Sequence, residues 1–129
     1  MIPRYRAWDK IHKTMYEVDD IMSIDFGESK ISVKTLFFEQ TNYYKFDVIE
    51  LMQSTGLADK NGKEIFEGDV LGTKDGLLNG VVNFNTDLGM WTNSLIRYNN
   101  FERLCNVANS REIIGNVRAN PELLEEQDL

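Results

Sequence analysis

Four carboxylates, Asp59, Glu64, Glu67 and Asp69, fall within eleven consecutive positions of this 129-residue chain. Oxygen donors this close in sequence are the raw material of a Mg²⁺ or Mn²⁺ site, because hard cations take several carboxylate and carbonyl ligands. Side chains on a strand alternate faces, so Glu67 and Asp69 share a face unless Gly68 bulges, while Glu64 points away from both. The competing reading is structural: Asp59 shapes a turn, Asp69 accepts local backbone N–H groups, and the two glutamates face water. The structural reading carries more weight. A working metal site normally draws on distant ligands, and the sole histidine, His12, lies in a different turn.

The other chemistry-bearing group is at the start of the chain. Arg4, Tyr5, Arg6, Trp8, Lys10 and Lys13 mix cations with aromatic rings, the combination that holds phosphates and stacks bases. Arg4, Arg6, Trp8, Lys10 and Lys13 are therefore the candidate surface for a partner or for nucleic acid. Against that stands a simpler reading, in which Tyr5 or Trp8 is core and the cations face water or pair with acids. His12 sits among Lys10 and Lys13 and reads as a surface residue. Cys105 reads as a small buried hydrophobe on a helical turn rather than a nucleophile. One histidine and one cysteine give no basis for a Cys–His pair or a zinc motif, and no phosphate-binding glycine loop is present. The expectation is a non-enzyme with no cofactor and no metal.

Bulk properties narrow the class further. The net charge is −7, with seven basic and nine acidic residues in 1–58 against seven and twelve in 59–129. Non-specific nucleic-acid affinity comes from clustered Lys and Arg, so a broad nucleic-acid surface is disfavoured and only a local patch remains open. A lone cysteine suits a reducing compartment. No apolar run approaches the ~18 residues of a membrane span. Met1 to Trp8 has basic residues but no apolar stretch of the secretory kind. A cytoplasmic protein is expected, with no membrane partner.

Elements that must position these groups read mainly as strands. Tyr5 to Trp8, Thr14 to Val18, Ile21 to Phe26, and Lys30 to Phe38 follow one another across polar turns. In the last of these, Ile31, Val33, Thr35 and Phe37 fall on one face and Lys30, Ser32 and Lys34 on the other. Tyr43 to Met52 continues as strand. Asn61-Gly62 between two β-favouring runs predicts a tight type I′ hairpin turn. Gly56 and Gly68 mark bulges or close backbone approaches. Asp75-Gly76 and Asn79-Gly80 read as further turns around Val81–Phe84, with Met90–Thr92 beyond. Asn100 to Val107 reads as a short helix, Glu112 to Val117 as a closing strand, and Asn120-Pro121 as a helix start. The fold class is mainly β with short helical segments, in two small β subdomains, 1–58 and 59–129.

Three stretches carry a resemblance. Tyr5-Arg-Ala-Trp-Asp9 with Met15-Tyr16, then Thr55-Gly-Leu-Ala-Asp-Lys-Asn-Gly-Lys-Glu-Ile-Phe-Glu-Gly-Asp-Val70, then Ile114-Gly-Asn-Val-Arg-Ala-Asn-Pro-Glu-Leu-Leu124, resemble in order the motifs of the YopX-like family of phage and prophage proteins. Thr55, Gly56, Asp59, Asn61, Gly62, Gly68 and Asp69 are the signature positions. The resemblance implies a second half like an SH3-like barrel, and a phage accessory protein of a bacterial host cell. The function then expected is binding of a protein partner or self-assembly. The alternatives are a nucleic-acid-binding module or a metal-dependent hydrolase.

Overall fold

The structure, a computed structural model, describes residues 4–34 and 41–125. The chain divides into two compact units, Ile2–Gln53 and Ser54–Leu129. The division falls at Gln53/Ser54, inside one long strand, rather than at the 58/59 expected from the sequence.

In the N-terminal unit, β1 (Tyr5–Asp9) and β2 (Thr14–Tyr16) form a hairpin in which Trp8 lies opposite Met15. The first half of β6 (Ile49–Ala58) pairs antiparallel on the other side of β1, from Tyr5↔Gln53 to Asp9↔Ile49. Between them β3 (Ile21–Asp25), β4 (Lys30–Lys34) and β5 (Thr41–Lys45) make a three-stranded antiparallel sheet in that order. The period-two pattern of β4 decides its orientation. Ile31 and Val33 are buried in a core with Ala7 and Ile49, against which Ile24, Tyr44 and Phe46 pack. Thr35 to Phe38, part of the expected strand, lie outside the described residues.

The C-terminal unit begins with the second half of β6, which pairs with β7 (Glu64–Phe66). Then come β8 (Asp69–Gly72), β9 (Gly80–Asn85), β10 (Met90–Leu95), β11 (Phe101–Arg103) and β12 (Glu112–Asn116). They form a five-stranded sheet of order β11-β10-β9-β8-β12, an arrangement compatible with an SH3-like barrel. Its core holds Ile65, Leu71, Val82, Leu104 and Ala108, with Leu57, Trp91 and Ile113 packed against it. Mainly β is thus the observed class.

Two helical expectations are corrected. Asn100 to Val107 is not one helix: Phe101 to Arg103 pairs with β10 as an edge strand, and only α1 (Leu104–Val107) is helical. One turn buries one face, and Leu104 takes it; Cys105 is consequently exposed rather than buried. Asn120-Pro121 starts a single 3₁₀ turn, Pro121–Leu124, with no side-chain cap. The Asn120 side chain is used elsewhere, accepting the Asn116 N–H at 3.2 Å.

Candidate functional site

The signature stretch is built by its own polar side chains. Asp59 Oδ1 accepts the N–H groups of Asn61 and Lys63, both at 2.9 Å, and Oδ2 accepts that of Ile113 at 3.0 Å. The Gly62 N–H donates to the Asp59 carbonyl at 3.0 Å and the Asp59 N–H to the Lys63 carbonyl at 2.8 Å. This is a three-residue loop ending in Gly62 at φ +81°, while Asn61 keeps a negative φ. The turn is therefore not type I′. A type I turn followed by a left-handed glycine needs only one positive φ, and the Asp59 carboxylate supplies the acceptors that favour it.

Thr55 and Gly56 make the next irregularity. Pairing jumps from Ser54↔Phe66 to Ala58↔Glu64, so β6 spends four steps against two on β7. Gly56, at φ +77°, turns the bulge, and the Thr55 hydroxyl spans it by donating to the Ile65 carbonyl at 2.8 Å. Gly68, at φ +86°, is clamped by backbone on both sides: its N–H donates to Val82 O, and its carbonyl accepts from Val117 N. Asp69 is buried and accepts the Phe66 N–H at 2.8 Å. Two of the four carboxylates thus hold backbone, and Glu64 and Glu67 are half-buried. Among the described residues, no group of three or more His, Cys, Asp or Glu side chains is placed to hold a metal.

The amino-terminal cluster is dispersed. Arg6 and Trp8 are only 7% exposed on β1, so they do not form a surface with Arg4, Lys10 and Lys13, which are exposed. β1 is a central strand, paired along one edge by β2 and along the other by β6, so its side chains are flanked by neighbours on both sides, a placement no local pattern reveals. The focus here is instead Asp9, fully buried and absent from the candidate set. Its Oδ1 accepts the N–H groups of Ile11 and His12, and its Oδ2 lies 2.7 Å from both His12 Nδ1 and the Tyr16 hydroxyl. His12 itself is at the surface.

Burial pushes the Asp9 carboxyl up, but the bonds from His12, Tyr16 and Ile11 outweigh it and hold the pKa down at about 2, from 3.8. Burial, with the neighbouring Tyr44 and Asp9, drives the Tyr16 phenol upward. A carboxylate depressed in the folded state contributes stability above its unfolded pKa and loses it as pH falls through the folded value. Asp9 is expected to contribute about 2 kcal/mol at neutral pH, lost progressively between about pH 5 and pH 2. Urea midpoints measured across that range should fall less steeply in Asp9→Asn than in the unmodified protein. Equal slopes would remove the assignment.

The family model of the YopX protein matches residues 4–125, which includes the loop of Asp59, the bulge of Gly56 and the buried Asp9. The chain belongs to the YopX family. Its fold is similar to the crystal structure of protein EF1440 from Enterococcus faecalis, with a TM-score of 0.67 at 28% identity over 97% of this chain and 99% of that one. It is also similar to the structure of protein yopX from Bacillus subtilis, with a TM-score of 0.62 at 22% identity over 95% and 98% of the two chains, a likeness of fold alone. No curated protein matches the chain.

This YopX-family chain also carries a face that its motifs do not name. The registers Lys30↔Lys45, Ser32↔Tyr43 and Lys34↔Thr41 put Lys30, Lys34, Tyr43 and Lys45 on one side of the β3–β4–β5 sheet. Ile31, Val33 and Tyr44 occupy the other side, in the core. The Lys30 ammonium is 5.6 Å from the centroid of the Tyr43 ring. Alternation alone separates Lys30, Ser32 and Lys34 from Ile31 and Val33. Adding Tyr43 and Lys45 requires the β4–β5 register, which is non-local.

Proposed function

We propose that this YopX-family chain is a phage or prophage accessory protein of the bacterial cytoplasm that acts by binding a protein, either a host or phage partner or a further copy of itself, and that it performs no catalysis. The observation that carries the reading is how its acids are used. Among the described residues Asp9, Asp59 and Asp69 are the buried carboxylates, and each accepts from backbone N–H or hydroxyl donors that hold a turn or loop in place. With four polar partners on Asp9 and three donors on Asp59, most of the roughly four acceptor sites of each carboxylate are already used to hold backbone and side chains, which favours a structural role over metal binding or proton transfer.

What supports a protein partner is apolar surface on the β9–β10 hairpin. Phe84 and Leu88 are each 44% exposed, and Phe84 meets the half-buried Trp91 edge to face, with centroids 5.3 Å apart. Aromatic side chains left in water near a hairpin tip are the usual anchors of a protein contact.

Two measurements test the reading. Millimolar Mg²⁺ or Mn²⁺ is expected to leave the melting temperature unchanged, because a cation that bound the folded state would raise it by mass action. A metal-dependent rise of several degrees that disappears in Glu67→Gln would overturn the non-catalytic assignment. Light scattering on the full chain, beside Phe84→Glu, reads self-assembly. A mass above the monomer that falls in the variant identifies a second copy as the partner, and a monomer in both leaves a different protein.

A further inference from the structure

We propose that the outer face of the β3–β4–β5 sheet binds single-stranded nucleic acid, with Tyr43 as the stacking platform and Lys30, Lys34 and Lys45 as the phosphate contacts. The proposal is independent of the protein-binding reading, which concerns the other unit.

Tyr43 stands outside the core of its unit. Its neighbour Tyr44 stacks on Tyr16 within the core, with centroids 5.6 Å apart. Tyr43 is 66% exposed, on the opposite side of the strand, and among the described residues its ring contact is the Lys30 ammonium. A sheet face with an open aromatic ring suits an unpaired base, whose π-face stacks whatever its identity.

The lysines are arranged around that ring. Lys45 is two residues along the same strand, and Lys30 and Lys34 flank Ser32, the residue directly opposite Tyr43. Side chains two apart on a strand project from the same face about 7 Å apart, so three lysine side chains emerge around one ring, with the Lys30 ammonium against it. Lys30 and Lys45 are direct cross-strand partners. Like charges in that position repel, and a polyanion laid across them removes the repulsion.

Acids nearby set the limits. Glu28 pairs with Lys30 at 2.9 Å, and Asp25 lies opposite Lys30 on β3. Both stand at the Lys30 end. Glu28 is exposed, and a solvated pair of that kind is worth little, so a phosphate can replace it. Among the described residues, no acid pairs with Lys34 or Lys45. A duplex fits less well than a single strand. It would offer only phosphates to the lysines and would leave Tyr43 unused, and the net charge of −7 opposes any long-range attraction.

Fluorescence anisotropy with the full chain tests this, using a labelled oligothymidylate of about 12 nucleotides and a duplex of equal length at about 50 mM salt. The single strand is expected to bind at least about tenfold more tightly than the duplex. The affinity should fall with a log–log salt slope of about −2, from three phosphate contacts on a single strand. Tyr43→Ala should weaken binding by about tenfold, the loss of one stacked base, and Tyr43→Phe should restore it. Lys34→Ala with Lys45→Ala should weaken binding and flatten the slope to about −0.7, from the one phosphate contact that remains. All four positions face solvent, so circular dichroism should find each variant folded. Absence of single-strand binding, equal binding of the duplex, or indifference to both Tyr43→Ala and the lysine pair would each overturn the proposal.

Discussion

Replacing Asp59 with alanine is expected to cost about 3 kcal/mol of stability, read as a lower urea midpoint with an unchanged slope. The carboxylate accepts three backbone N–H groups: Asn61 and Lys63 close the loop between β6 and β7, and Ile113 belongs to β12. Alanine leaves all three donors without that acceptor at a position that is nearly buried. An unsatisfied buried donor costs about 1–3 kcal/mol, and water reaching the half-open loop recovers part of the total. Asp59→Asn should cost roughly half as much, because the amide keeps one oxygen but sets an NH₂ against the remaining donor.

The pH dependence gives a second reading of the same residue. Burial raises the Asp59 carboxyl, and the bonds from Ile113, Lys63 and Asn61, with the charge of Lys63, lower it further than burial raises it. Its contribution is therefore present above the ordinary carboxylate pKa of about 4 and is lost as pH falls below it. The gap between wild type and Asp59→Ala should narrow in acid. A gap that is constant with pH, or a loss under about 1 kcal/mol at neutral pH, would mean that the backbone holds the loop without the carboxylate.

Asp59 also marks how far the sequence could be read. Its spacing to Asn61-Gly62 announces a hairpin, and a hairpin is there. The turn type was misjudged because the dipeptide rule treats Asn-Gly in isolation, whereas a preceding aspartate that bonds two residues on favours the longer loop. Strand identity along most of the chain is legible for the same local reason: Ile31 and Val33, which alternate with Lys30, Ser32 and Lys34, enter the hydrophobic core, although Ser32 on the other face is also buried, against Ser23. What no local pattern carries is register. Tyr43 and Lys45 join the lysines of β4 only through pairings that cross the connection between the strands. Arg6 and Trp8 lie on a central rather than an edge strand because β6, over forty residues later, pairs along the other edge of β1. Cys105 was misplaced by an offset of a few residues, since a three-residue strand was read as the opening of a helix.

Gly80 shows the remaining kind of ambiguity and carries the other large prediction. Asn79-Gly80 looks like a turn signal, yet Gly80 begins a central strand, paired with Leu71 on one side and Leu95 on the other. A glycine demanded by space has the same letter as one demanded by positive φ. A Cβ at this position would stand 2.4 Å from Asn93 Oδ1 and 2.6 Å from Asn93 Cγ. Asn93 has nowhere simple to go: it is fully buried, and its Nδ2 donates to Glu102 Oε1 at 3.1 Å. The other oxygen of Glu102 holds the Arg111 guanidinium, itself buried. Gly80→Ala must therefore displace the amide and disturb that chain, or push β9 away from β10. Overpacking and a broken buried hydrogen bond together are expected to cost about 2–4 kcal/mol. Thermal melts of Gly80→Ala, Asn93→Ala and the double variant form the decisive cycle. Removing the Asn93 side chain makes room for the new methyl, so the double variant should be more stable than the sum of the two losses predicts, by about 1–2 kcal/mol. Additive losses would show that Gly80 is required for strand conformation rather than for the space it leaves to Asn93.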